Sequence, residues 1–299
     1  MCVTAPRVTH SLPIPGIVQG VTRLFNELYV LLASDADQIR VYTTDCEHVR
    51  SISVAGLGST GVCDIASCQQ NSRLYLSNVD KNCIHVVVPK ASSSKNSKWT
   101  LSENPFGLSV MRTGNLLVTC GVSRRLMEFN PRGKSIRTII LDSDICQPLH
   151  SVQLAGGDYV LCCCGGGTDG LHRVCIVDGD GKVKRSYGST RGAGERQLSW
   201  PTHLAVDRDG FVFVADRDNA RIVVLSPTLE FASLVLPNEL QRRTNHVYVD
   251  DDDKLYASSR VFDERRSLVS AVQLCSTAEP TMRSRVKTHT DNARHAWTE

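Results

Sequence analysis

A chain of 299 residues, 41% hydrophobic and 22% charged, has the composition of an ordinary water-soluble protein, long enough for one large β domain or two smaller ones. No run of roughly 18 apolar residues argues for a membrane-crossing helix. With 34 Lys and Arg against 31 Asp and Glu, the net charge of +3 is too small to imply nucleic acid or an acidic membrane by itself.

The first 19 residues, MCVTAPRVTHSLPIPGIVQ, lack a basic stretch followed by an apolar run, so the expected location is cytoplasmic. From Gly20 onward the chain repeats. Aligned on the start of a short apolar strand, the units begin at Gly20, Cys63, Gly107, His150, His203 and His246, with steps of 43, 44, 43, 53 and 43 residues. Each unit supplies a second strand, from LYVLLAS at Leu28 to LYASSR at Leu255, and a third, such as IRVYT, IHVVV and IVVLS. Fourth strands are HVRSISV, KWTLS, SIRTIIL, KVKRSYG and FASLVL, while that of the sixth unit is undefined. The long step is explained by a Gly- and Arg-rich surface loop over 188–197. Four strands repeated about every 43 residues is the arithmetic of a β-propeller blade, because a single meander cannot bury both of its faces.

The expected fold is therefore all-β, a six-bladed β-propeller of four-stranded antiparallel blades over residues 20–288, followed by a polar tail over 289–299. Two segments compete for the missing outer strand of the sixth blade: Arg7–Ile14, which makes residues 1–19 a ring-closing segment, and Met282–Thr288. Either removes an exposed sheet edge.

The clearest unit is PTHLAVDRDGFVFVADRDNARIVVLSP, from Pro201 to Pro227. Through Pro201, Val206, Asp207, Gly210, Val214, Asp216, Asn219, Arg221 and Ile222 it resembles an NHL repeat; the other units match in strand pattern alone. That resemblance implies six blades and a binding role. The NHL domains of tripartite-motif ubiquitin ligases carry RING, B-box and coiled-coil segments upstream of the repeats. None is found here, so the expectation is a non-enzymatic scaffold working with a separate ligase or regulatory complex.

Several motifs are read as structural. Gly56, Gly58 and Gly61 fit GxGxxG, but a strand follows where a dinucleotide fingerprint requires a helix. The acidic run Asp250–Asp253 occupies a hairpin turn. Cys162, Cys163 and Cys164 alternate across one strand and cannot form a compact thiolate cage, so the twelve cysteines are expected to be free thiols. Asp216, Asn219 and Arg221 are expected to organise their loop.

Candidate sites follow from the repeat phase. First strands line the channel of a propeller, which brings His150, His203 and His246 to the channel mouth in three adjacent blades and Cys63 in a fourth. Three imidazoles at one mouth suit a transition metal. In outline this resembles the amidating lyase of peptide hormones, whose ligands come from alternate blades. No carboxylate is fixed by the phase as a partner for these histidines, so no cofactor is expected, with a channel metal on His150, His203 and His246 as the alternative. The same face carries Arg124, Arg125, Arg173, Arg191, Arg196, Trp200, Arg217, Arg221, Arg265 and Arg266, residue types suited to recognising a protein or peptide. The favoured function is a binding module acting through this face. The alternatives are an RNA-binding propeller, disfavoured by the scarcity of aromatics near these arginines, and a metal-dependent lyase or hydrolase.

Overall fold

In the computed structural model, residues 7–33, 37–58, 60–90, 96–165, 170–235, 243–260 and 266–274 are described. Apart from one short 3-10 turn at Arg217–Asn219, their regular structure is entirely β. After β1 (Arg7–Pro15), blade one comprises β2 (Val18–Leu24), β3 (Glu27–Leu32), β4 (Gln38–Thr43) and β5 (His48–Ser53). Blade two has β6 (Val62–Cys68), β7 (Arg73–Asn78), β8 (Cys83–Val87) and β9 (Ser97–Thr100), and blade three has β10 (Leu108–Val110), β11 (Leu116–Cys120), β12 (Arg125–Phe129) and β13 (Ser135–Ile140). Blade four follows with β14 (Pro148–Gln153), β15 (Tyr159–Cys164), β16 (Leu171–Val177) and β17 (Val183–Thr190). Blade five is β18 (Pro201–Val206), β19 (Val212–Asp216), β20 (Arg221–Leu225) and β21 (Phe231–Val235), and blade six is β22 (Arg243–Val249), β23 (Lys254–Arg260) and β24 (Arg266–Gln273).

The sixth blade takes its outer strand from the N-terminal segment. β1 pairs antiparallel with β24 from Arg7 opposite Gln273 to Pro15 opposite Arg266, giving the order β1-β24-β23-β22. Of the two expected closures, this is Arg7–Ile14; Met282–Thr288, like the tail over 289–299, lies outside the described residues. The first and last blades are thus joined by backbone hydrogen bonds between the two ends of the ring, and Ile14 is fully buried at the seam.

Packing follows from the strand patterns. Second strands such as β11 and β15 are buried along their whole length, as expected of strands covered on both faces, whereas outer strands such as β13 are largely exposed. Buried side chains sort into six clusters, one at each junction between neighbouring blades. Leu31, Ile39, Ile65 and Leu76 join blades one and two, Val160, Val174, Leu204 and Val214 join four and five, and Val21, Val30, Tyr256 and Val269 close the ring between six and one. The hydrophobic core is therefore a ring of interfaces around the axis.

Candidate functional site

A β-bulge recurs near the start of the inner strand in five blades, between Val18 and Gly20, Val62 and Asp64, Pro148 and His150, Pro201 and His203, and Thr244 and His246. A bulge re-aims the side chain that follows it. The residues in phase are Gly20, Asp64, His150, His203 and His246, with Gly107 in the same place in blade three, its carbonyl accepting from the Thr119 amide at 2.8 Å. This corrects the sequence reading by one residue in blade two. The channel position there belongs to Asp64, and the half-buried Cys63 thiol turns back to the Gly61 carbonyl at 3.4 Å, with burial pushing it up to about 12. A carboxylate is therefore in phase after all.

Asp64 is 2% exposed, and the three histidines reach it from the opposite side of the ring. One carboxylate oxygen accepts from the Ile65 amide (2.7 Å) and from His246 Nε2 (3.1 Å). The other accepts from the Leu108 amide at 2.7 Å and stands 3.5 Å from His203 Nε2 and 3.6 Å from His150 Nε2. The rings form a stack, with centroids 3.6 Å apart for His150 and His203 and 3.7 Å for His203 and His246.

Glycine at positions 20 and 107 makes room for this stack. A Cβ on Gly107 would lie 2.4 Å from the Leu149 carbonyl oxygen and 2.8 Å from the His150 ring, and one on Gly20 would lie 2.7 Å from Ile65 and 3.5 Å from His246 Nε2.

Burial, reinforced by the neighbouring His203, pushes His150 down to about 3; burial and the neighbouring His246 push His203 down to about 4. Both imidazoles are consequently neutral near pH 7. Burial works to raise the Asp64 carboxyl, but the imidazoles of His203 and His246 outweigh it and hold the group below the usual carboxylate range. His150 Nε2 donates to the Leu108 carbonyl at 3.0 Å, whereas neither ring nitrogen of His203 has a hydrogen-bond partner.

Most of the described rim arginines are engaged within the chain. Arg221 donates through Nε to Asp216 (2.7 Å) and through its terminal nitrogens to the carbonyls of Ala193 (3.1 Å) and Gln197 (2.8 Å). Asp216, fully buried, also accepts from Asn219 and from the Ser199 amide, so the Asp, Asn and Arg of the NHL-like motif fasten the long loop to blade five. Arg173 pairs with Asp144 at 2.8 Å, Arg191 with Asp218 at 2.8 Å, and Arg125 with Glu103. Arg217 lies 3.8 Å from Asp218, Arg124 donates to the Ser143 carbonyl at 2.9 Å, and Arg196 sits 5.3 Å over the Tyr187 ring. The Trp200 amide donates to His172 Nδ1 at 2.8 Å. Arg266 opens β24, and Arg265 is outside the described residues.

A second candidate lies on the outer wall, which sequence reasoning passed over. A cleft of about 320 Å³ runs between the outer strands of blades four and five, with Tyr187, Val223, Phe231 and Leu234 as its apolar wall and Glu195, Arg196 and Glu230 among its polar lining. Phe231 and Leu234 are 47% and 37% exposed. Both belong to β21, whose free edge is distinctive in composition. The other outer strands carry charge or proline within them: Pro13 in β1, Arg50 in β5, Lys98 in β9, Arg137 in β13 and Lys184 in β17. β21 reads FASLV and carries neither.

A family model described as NHL repeat matches residues 198–225. No curated protein sequence matches the chain. Among solved structures, the chain is similar to virginiamycin B lyase from Staphylococcus aureus, at 10% identity over 89% of this chain and 99% of that one, with a TM-score of 0.60. It is also similar to a streptogramin B lyase (13% identity, 88% and 85% covered, TM-score 0.60) and to hydrazine synthase from Kuenenia stuttgartiensis (12% identity, 88% and 96% covered, TM-score 0.61). At such identities the likeness is one of fold. The chain is a six-bladed, all-β propeller that carries an NHL repeat in its fifth blade.

Proposed function

We propose that this propeller is a non-enzymatic binding module that captures an extended peptide segment of a partner protein along the outer edge of blade five. The observation that carries this reading is the composition of β21. Sheet edges expose unpaired backbone donors and acceptors, and proteins guard them with charges, proline or bulges. Five of the six outer strands in this ring carry a charge or a proline, and the remaining one, bulged between Phe231 and Ser233, has neither, is apolar and lies beside a cleft. Strand addition uses those two features together, backbone hydrogen bonds supplying affinity and a pocket for alternate side chains supplying specificity. Arg196 and Glu195 at the loop end of the cleft and Glu230 near the start of the strand provide polar contacts for residues flanking an apolar anchor.

This moves the contact surface from the channel-mouth rim, where Arg124, Arg125, Arg173, Arg191, Arg217 and Arg221 face carboxylates and carbonyls of the chain itself, to the adjoining blade wall. The test is affinity capture with quantitative mass spectrometry, comparing the wild-type protein with Phe231→Lys and Leu234→Lys and with an Arg124→Ala/Arg125→Ala control. Partners retained by the wild type and the control but depleted at least tenfold by both lysine variants support the edge. Equal capture by all four proteins rejects it.

A further inference from the structure

We infer that the axial channel is a binding site for a divalent transition metal ion, with Asp64, His150 and His203 as ligands and His246 bracing the carboxylate. The donors already converge: one atom from each of Asp64, His150 and His203 lies within 4.8 Å of the others. A tetrahedral ion bound at about 2.0–2.1 Å holds its ligand atoms roughly 3.4 Å apart. The Asp64 oxygen lies 3.6 Å from His150 Nε2 and 3.5 Å from His203 Nε2, so two of the three ligand-to-ligand distances are already close to those of such a shell, which the stacked rings complete by tilting apart.

The second observation is His203. Its side chain is 11% exposed, and neither ring nitrogen makes a hydrogen bond, although Nε2 stands 3.5 Å from the Asp64 carboxylate and leaving a buried polar group unpaired is costly. A buried imidazole that faces a carboxylate without hydrogen-bonding to it has a ring nitrogen available for a metal ion. His246 meets the usual need for outer support. Its Nε2 donates to the carboxylate oxygen that does not face His150 and His203, and the Ile65 and Leu108 amides hold Asp64 from the remaining directions.

Coordination requires His150 to give up its 3.0 Å bond to the Leu108 carbonyl and carry its proton on Nδ1, which has no partner in the chain. Two neutral imidazoles and one carboxylate favour zinc, or cobalt(II) in its place, over the oxygen-seeking magnesium and calcium. A fourth position is left for water or an added ligand.

Protein stripped with chelator is titrated with Co²⁺ and then Zn²⁺, following the visible bands of tetrahedral cobalt and the calorimetric stoichiometry. The expected result is one equivalent of Co²⁺ displaced by one of Zn²⁺, with binding weakened at least tenfold in Asp64→Asn and His203→Ala and unchanged in His48→Ala, an exposed histidine remote from the repeat phase. His203→Ala removes an imidazole 3.5 Å from the Asp64 carboxylate while the Ile65 and Leu108 amides and His246 still hold that carboxylate, so it should fold, and it decides the matter if Asp64→Asn does not. Absence of stoichiometric uptake by folded wild-type protein, or equal uptake by His203→Ala, overturns the inference.

Discussion

Arg221 ties three parts of the molecule together: the buried Asp216, and the Ala193 and Gln197 carbonyls of the loop between blades four and five. Its side chain is 15% exposed and that of Asp216 is fully buried, so truncation leaves a buried carboxylate without its cation. Removing one member of such a pair is costly, and Arg221→Ala should lower stability by about 3 kcal/mol in denaturant unfolding, with faster proteolysis in the loop over 192–197. Histidines give the molecule a pH dependence. His172 accepts the Trp200 amide through Nδ1, which requires that nitrogen unprotonated, and burial followed by the nearby Arg191 lowers its pKa. His85 is lowered in the same direction by burial, Lys98 and Lys81. The unfolded chain therefore binds protons below about pH 6.5 that the folded chain does not accept. Stability should be full above that value and fall as the pH drops toward the folded-state pKa values, with His150 and His203 acting in the same sense. Thermal unfolding between pH 7.5 and 5 measures this slope, and His172→Gln should flatten part of it.

At the scale of the element, the outer strands show how one fold tolerates six sheet edges. Arg50, Lys98, Arg137 and Lys184 make four of them poor templates for another strand, and Pro13 interrupts a fifth. The exposure of Phe231 and Leu234 means that lysine at either position should change stability by no more than about 0.5 kcal/mol. A loss of partner capture in those variants can thus be separated from unfolding. A gain in solubility without any change in capture would mark β21 as a simple aggregation liability.

Across the whole molecule, the ring holds because every blade packs against two others and the last pair is latched by β1. Each of the six core clusters spans a single junction, so stability approximates a sum of neighbour interfaces. Removing residues 1–15 takes away the outer strand of blade six and the buried Ile14, leaving the edge of β24 unpaired. The truncated protein should lose its single cooperative thermal transition and self-associate, as size-exclusion chromatography would show. Retention of a monomer with unchanged unfolding would mean that the latch is dispensable.

Blade number, strand order and the NHL motif were legible in the amino-acid sequence because each is a local pattern repeated along the chain: alternation, turn residues and a spacing near 43. The histidines at 150, 203 and 246 were legible for the same reason. Asp64 was not, because the hairpin after it is longer than in the histidine blades, Asp64 standing opposite Ser77 where His150 stands opposite Cys162, and strand periodicity does not reveal which of two adjacent residues turns into the channel. Nor could the sequence show that rim arginines such as Arg173 and Arg191 are spent on internal partners, since their pairs with Asp144 and Asp218 are made across the fold. Local periodicity determined the propeller. Closure by β1, the carboxylate inside the histidine stack and the cleft beside the outer strand of blade five were decided only in the tertiary structure, where residues distant in the chain share one axis or one wall.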